Sequence, residues 1–432
     1  MSILLHNCYI CPGPGHADIP DGAMLVEGDK IAWVGSLASL PPLNRPVERR
    51  DLGGRVIIAG LVNTHAHGGM SMHRGCCDEG NLFEWAQAIA PHTSTLTVED
   101  NRFGCQLAVM EMVRNGITTA CDCTRYGAGV FATAATEIGM RSLSGALANS
   151  PELRKAGRPN WPAALHETEA AIATHAGNGL ARFYLGAHSP YSCTPELLVE
   201  VKDAARALDL HYVIHVAESA IEVQMIHARH GTTPLRLLAD LGVLDAQSIL
   251  AHCVWLDEAE IALLAQSGAG VAHNPVSNAK LASGIAPIPD MRRLGIPVGL
   301  GTDSTVSNNS LDIFQEMKLS VLLQRAVSLD ASIAGATDAF AMATIEGARV
   351  LGWDKDIGTL VPGKQADLVV LDLDHPLGLT PERVLSDLVY ATGPRQVHAV
   401  MVAGETIYSG GQFTKIDEAE VRAGIRRHFA RS

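Results

Sequence analysis

Short apolar runs and amphipathic stretches alternate through the middle of this chain. Candidate strands are 56–62, 117–120, 141–147, 182–185, 212–216, 248–251, 270–272 and 297–300. Between them the apolar positions recur at helical spacing, as in Gln106-Leu107-Ala108-Val109-Met110-Glu111-Met112-Val113 and Glu258-Ala259-Glu260-Ile261-Ala262-Leu263-Leu264. Strand–helix alternation predicts an α/β protein with a parallel sheet. Eight such strands over about 250 residues is the pattern of a (β/α)8 TIM barrel. The rival is an open, doubly wound sheet. Its dinucleotide-binding version needs a G-x-G-x-x-G after the first strand, and none follows here.

The two ends of the chain read differently. Residues 23–35 predict a hairpin with Gly28-Asp29 at its turn, and 357–372 and 398–408 repeat that β-rich texture. These ends predict a small β-sandwich domain assembled from 1–57 and 358–415. The barrel is expected over 58–357 and a C-terminal helix over 416–432.

Composition narrows the picture. The 432 residues are 47% hydrophobic, ample for a large core, and the net charge of −13 argues against a nucleic-acid partner. No run reaches the ~18 apolar residues of a membrane span. The start, Met1-Ser2-Ile3-Leu4-Leu5-His6, lacks a basic n-region, so no signal peptide is expected. The nine Cys, an odd count, suggest reduced thiols in the cytoplasm. The pairs Cys76-Cys77 and Cys121/Cys123 read as small buried hydrophobes.

Chemistry gathers where the predicted strands end. After the first comes Asn63-Thr64-His65-Ala66-His67, where alternation aims His65 and His67 at one spot. The fourth runs into His188-Ser189-Pro190, the fifth carries His215 with Glu218 three residues on, and the sixth ends at His252. The seventh ends at His273-Asn274-Pro275 and the eighth at Gly301-Thr302-Asp303. In a parallel barrel all these ends share one face. Taken singly each has a plain alternative: a hydrogen-bonded rim histidine, a helix-opening Glu218, a turn at Asp303. Together they predict a metal site. Three His and one Asp around a divalent cation leave room for a water, which Zn²⁺ brings to a pKa of ~7. The hydroxide is then a nucleophile, with Glu218 moving its proton to a substrate nitrogen and His252 and Asp303 orienting it.

This set resembles the mononuclear form of the amidohydrolase superfamily. The stretch from Val271 to Pro287, with Gly299-Leu300-Gly301-Thr302-Asp303-Ser304 and Ser307-Asn308-Asn309-Ser310-Leu311-Asp312, is most similar to methylthioadenosine/S-adenosylhomocysteine deaminases and triazine hydrolases. The resemblance implies one divalent metal ion on His65, His67, His215 and Asp303, with Zn²⁺ favoured over Fe²⁺ or Mn²⁺. It implies Glu218 as proton shuttle, His252 at the water, and His188 facing the heterocycle. Binuclear relatives carry a bridging Lys at the end of strand four. Phe183-Tyr184-Leu185-Gly186-Ala187-His188 has none, which favours deamination of an amidine-like ring carbon over ring opening.

Two departures bear on substrate. The acidic residue that grips ribose hydroxyls in adenosine-type deaminases follows a Trp-containing helix. Here Glu84-Trp85-Ala86-Gln87-Ala88-Ile89-Ala90-Pro91-His92-Thr93 puts His92 or Thr93 in its place. The Arg that reads an amino-acid carboxylate falls on Ala146, with Arg154 and Arg158 in the following loop. Both departures turn the expectation away from adenosine derivatives and toward other amino-heterocycles. Trp85 and Phe83 are candidates to flank a planar ring. The expected function is hydrolytic deamination of a purine, pyrimidine, pterin or triazine. The alternatives are loss of chloride or an amide nitrogen on the same scaffold, or a non-catalytic relative. The family also implies a homo-oligomer.

Overall fold

The computed structural model describes residues 2–43, 45–93, 96–123, 127–153, 161–373 and 376–430. Eight strands follow one another round a single sheet: Leu61–Ala66, Ile117–Asp122, Arg141–Ala148, Ala181–Ala187, His211–Val216, Ser248–His252, Gly270–His273 and Val298–Leu300. Every pairing is parallel. The eighth strand meets the first just beyond its end. There Asp303 bridges to Ala66, its N–H donating to the His65 carbonyl at 2.9 Å. Below that bridge Asn63 closes the gap by donating to Thr302 Oγ1 at 2.7 Å and accepting the Thr302 N–H at 3.1 Å. The barrel is therefore stitched shut at the level of the predicted site.

Local signals fix the surrounding helices. Thr194 caps Pro195–Ala207 by accepting the Leu197 N–H at 3.3 Å. Asp257 and Glu260 form a reciprocal capping box on Glu258–Ser267, which stops at left-handed Gly268. Inside the barrel Val62, Cys121, Cys123, Leu143, Leu147, Tyr184, Val213 and Ile249 pack together, with Trp353 in the same cluster. Alternation along each strand sends the intervening residues to the outer helices.

Both chain ends build a second, nine-stranded mixed sheet. Its order runs Gln412–Phe413, Glu405–Ser409, Val397–Val402, Leu368–Leu371, Val56–Ala59, Ser2–Cys11, Ile19–Glu27 and Lys30–Ser36, with Glu48–Asp51 paired to Ser2–Cys11. The expected small β domain from both chain ends is joined through one hydrogen-bonded sheet. A single cluster holding Ile3, Met24, Ile57, Leu368 and Met401 draws on strands from both ends. The helix Glu418–Phe429 follows.

The expected strand 56–62 needs correction, because it is two strands in two sheets. Val56–Ala59 pairs with Ser2–Cys11 and Leu368–Leu371, whereas Leu61–Ala66 opens the barrel. The change of sheet falls at Gly60, where a Cβ would lie 2.1 Å from Thr118 Oγ1. Only glycine fits that close approach. Arg141 ties the two sheets together. It lies at the start of the third barrel strand and donates to Asp367 at 2.6 and 3.1 Å, both side chains buried. No helix among the described residues is long and apolar enough to cross a membrane.

Candidate active site

His65 lies inside the first barrel strand and His67 just past its end, with ring centroids 4.9 Å apart. The turn that follows is tight. Helix Val98–Arg114 presses Asn101 Oδ1 to within 1.7 Å of where a Gly69 Cβ would lie. Glycine there lets the helix close directly against the turn that follows the two imidazoles. His215 comes from the fifth strand, its ring 4.9 Å from His65 and 5.4 Å from His67.

Backbone carbonyls set the tautomers. His67 Nδ1 donates to the Cys123 carbonyl at 2.7 Å, and His215 Nδ1 to the His188 carbonyl at 2.7 Å. Each ring is thereby left with its Nε2 lone pair pointing inward, the arrangement a metal ligand needs. The two inward nitrogens are 3.4 Å apart. His65 Nδ1 lies 3.3 Å from Cys123 Sγ, and its buried Nε2 has no hydrogen-bond partner. Cys123 is therefore more than the apolar filler its spacing suggested.

Asp303 completes the group, with Oδ1 3.7 Å from His65 Nε2 and 3.4 Å from His67 Nε2. Its backbone sits at φ 57, a left-handed conformation rare outside glycine. Two hydrogen bonds hold the carboxylate there: Ser304 N–H to Oδ1 at 2.8 Å, and Ser277 Oγ–H to Oδ2 at 2.5 Å. Burial alone would favour the neutral acid, but His65 and His67 hold Asp303 well below the usual carboxylate range. One buried nitrogen without a partner, beside a carboxylate kept ionised by imidazoles, is a donor set suited to a divalent cation. The ligand atoms of His65, His67 and Asp303 lie within 4.8 Å of one another, as do those of His65, His215 and His252.

Glu218 and His252 stand beside this group. Both are buried, and His252 Nε2 faces Glu218 Oε2 at 3.6 Å. Burial, reinforced by the nearby charges of Asp303 and Glu222, pushes the Glu218 carboxyl well above its ordinary value. Burial brings His252 down to about 4, so its ring is neutral. Asn278 Oδ1 accepts from His252 Nδ1 at 2.8 Å, leaving Nε2 as the acceptor that faces Glu218.

A pocket open to solvent lies above these groups, on the barrel face where strand ends gather. His67, His188, His215, Glu218, His252 and Asp303 form its polar floor, and Met70, Leu82, Trp85, Ile89, Leu96 and Leu281 its apolar wall. His188 is fixed by Ser189 and Ser192, whose hydroxyls lie 3.0 and 2.8 Å from its Nδ1.

Several expectations change here. His92 is exposed, absent from the pocket, and lies tilted beside His73 with ring centroids 6.2 Å apart. Helical spacing explains this: Leu82, Trp85, Ala86, Ile89 and Thr93 share the pocket face of Leu82–Thr93, and His92 falls off it. Thr93 is the residue that faces in. Phe83 packs against Tyr191 at 5.3 Å and does not line the pocket. Ala146 lies within the third strand and packs into the outer core. Arg154 and Arg158 lie outside the described residues. Sequence reasoning assigned no role to Ser277, Asn278, Asn101 or Tyr191. The polar run after strand seven was the available signal for the first two.

A parallel barrel that gathers imidazoles and carboxylates at one buried point of its mouth defines a class of hydrolases that work with a bound cation. The chain belongs to the amidohydrolase family, whose profile matches residues 56–407. It is 37% identical over 99% of both chains to a protein of Moorella thermoacetica named 5-methylthioadenosine/S-adenosylhomocysteine deaminase. It is also 37% identical, over 93% of both chains, to a 5'-deoxyadenosine deaminase of Methanopyrus kandleri. Among solved structures, an adenosine deaminase from Xanthomonas campestris with bound zinc superposes with a TM-score of 0.92. That match has 32% identity and covers 99% of this chain and 98% of the other.

Proposed function

We propose that this protein is a metal-dependent deaminase that replaces the amino group of an adenosine-type purine with oxygen. Water is consumed, the ring C–N bond breaks, and ammonia leaves. The observation that carries the reading is the buried Glu218–His252 pair set against the convergence of His65, His67, His215 and Asp303. Relatives named as adenosine-derivative deaminases, similar over nearly the whole chain, move purine nucleosides ahead of the other heterocycles that the two departures had favoured.

In this proposal His65, His67, His215 and Asp303 hold one divalent ion. Zn²⁺ is preferred, the metal of the Xanthomonas campestris protein, though the donor set also suits Fe²⁺ or Mn²⁺. Such an ion lowers the pKa of water toward neutrality and supplies the nucleophile. The chain's own groups do the rest. Glu218, held in the protonatable range by burial, takes a proton from water and delivers it to the exocyclic nitrogen. His252, neutral and locked by Asn278, directs Nε2 at the same point and orients the attacking oxygen. His188 contacts a ring nitrogen from the floor, and Trp85 lies along the ring from the wall. A cytoplasmic homo-oligomer completes the proposal, and nine cysteines kept as thiols suit a reducing compartment.

The test is ammonia release by zinc-loaded protein from adenosine, 5'-deoxyadenosine and methylthioadenosine, each run beside adenine, guanine, cytosine, a pterin and a triazine. Turnover led by the nucleosides supports the proposal. Turnover confined to free bases or non-purine rings overturns the substrate assignment. Release of chloride or carboxylate instead of ammonia overturns the reaction.

A further inference from the structure

The helix Ala220–His230 begins in an unusual way. Ser219 is its N-cap, its Oγ accepting the Glu222 N–H at 3.3 Å. In an ordinary capping box the glutamate at this position returns to the N-cap amide. Glu222 faces that amide as well and reaches further back along the chain. Its Oε2 accepts the Glu218 N–H at 2.7 Å and its Oε1 accepts the Ala217 N–H at 3.1 Å. The side chain is completely buried, an expensive place for a carboxylate if a helix cap were all that was needed.

The segment in its grip is strained. Ala217 has φ 51, in the left-handed region that a residue with a Cβ avoids. The opposite edge of the same segment is also tied. The Val216 carbonyl accepts the Cys253 N–H, and the Ala217 carbonyl accepts the N–H groups of Val254 and Trp255, each at 3.0 Å. The main chain entering Glu218 is thus clamped by the sixth-strand loop through its carbonyls and by one side chain through its amides.

We infer that Glu222 is a positioning residue for the reaction, fixing the backbone so that the Glu218 carboxyl stands opposite His252 Nε2. The inference rests on the reading of Glu218 as the proton carrier. It is tested in the zinc-loaded full chain. Glu222→Gln puts an amide donor against a backbone donor. It should lower kcat roughly ten- to hundredfold, the range for outer groups that orient inner ones. Zinc content and KM should stay within about twofold. Affinity for a hydrated-ring, transition-state-like inhibitor should fall by the factor lost from kcat/KM, while product affinity holds. In a Glu218→Gln background, adding Glu222→Gln should cause no further loss, because both changes remove one function.

A Glu222→Gln protein with undiminished kcat, beside an inactive Glu218→Gln, overturns the inference alone. So does an additional ten- to hundredfold loss in the Glu218→Gln background, which would make the effect independent of Glu218. Full turnover by Glu218→Gln overturns the proton-carrier reading and the inference with it. Glu222→Asp keeps the charge, withdraws the carboxylate by one methylene, and carries the same comparison if the Gln variant fails to fold.

Discussion

Thr93 and His92 are neighbours on one helix, and the pocket distinguishes them. Thr93 is fully buried on the pocket face, its Oγ1 donating back to the Ile89 carbonyl at 3.3 Å, whereas His92 is exposed. If an acid at this turn grips ribose hydroxyls in adenosine-type deaminases, Thr93→Glu places one where a ribose can reach it. Two hydroxyls donating to a carboxylate contribute roughly 1.5–3 kcal/mol each, about 3–6 together. Burying that carboxylate beside Leu82, Trp85 and Ile89 costs several kcal/mol and cancels much of the gain. A remainder of about 1.4–2.8 kcal/mol corresponds to a ten- to hundredfold rise in kcat/KM for nucleoside over free base. The assay is initial-rate ammonia release on adenosine and adenine for wild type, Thr93→Glu and the control His92→Glu, all checked for zinc content. The ratio should rise in the first variant and stay flat in the second. A flat ratio in folded, metal-loaded Thr93→Glu, or a rise in His92→Glu, would refute this placement of the helix face.

Three further outcomes follow from other contacts. Ser277→Ala removes the hydroxyl held by Asp303 Oδ2 at 2.5 Å, so zinc affinity measured against a competing chelator should fall roughly tenfold; unchanged affinity would remove Ser277 from the metal's support. Arg141→Met leaves Asp367 buried with only the Ala403 N–H, at 2.7 Å, as a direct partner among those described; urea unfolding should show a loss of about 3–5 kcal/mol, partly recovered by adding Asp367→Leu. Asp122 is pushed up to about 8 by burial, against the Gly68 N–H that favours its charge. The folded state then binds its proton more tightly than the unfolded one, so stability is lost as pH rises from the unfolded pKa toward the folded value. Between pH 5 and 8 this amounts to at most about 4 kcal/mol. Asp122→Asn should flatten the profile, and equal slopes in the two proteins would contradict the assignment.

The barrel was legible because its signal repeats, eight apolar runs separated by helical spacing. Its starting point was not. A strand buried in the terminal sheet and a strand buried in the barrel are both plain apolar runs, so 56–62 reads as one piece. The break at Gly60 exists because Thr118 lies against it in space, and no local pattern records that neighbour. His65, His67, His215, Glu218, His252 and Asp303 were legible for a different reason, since their types and strand-end positions already limit their chemistry. Their supports were not. Ser277, Asn278 and Glu222 are ordinary residues of ordinary helix starts until the fold brings Asp303, His252 and the Glu218 amide to them.

The supports also explain why such a site needs a barrel. His67 takes its tautomer from a carbonyl just past the second strand, and His215 takes its own from a carbonyl just past the fourth. Asp303 reaches the first strand through a backbone bridge. No single strand could orient its own imidazole in this way, because the carbonyl that accepts from Nδ1 must approach from the side. The same rim holds Ala217, His252, Cys253 and Asp303 in left-handed backbone, a conformation that costs about 1–3 kcal/mol at each non-glycine residue. Such strain persists only where the surroundings over-determine it. Here the parallel ladders do so from below, and the loop hydrogen bonds across strands five, six and eight do so from above. Activity should accordingly be more sensitive to changes that loosen these cross-strand ties than to equal changes in stability made in the terminal sheet.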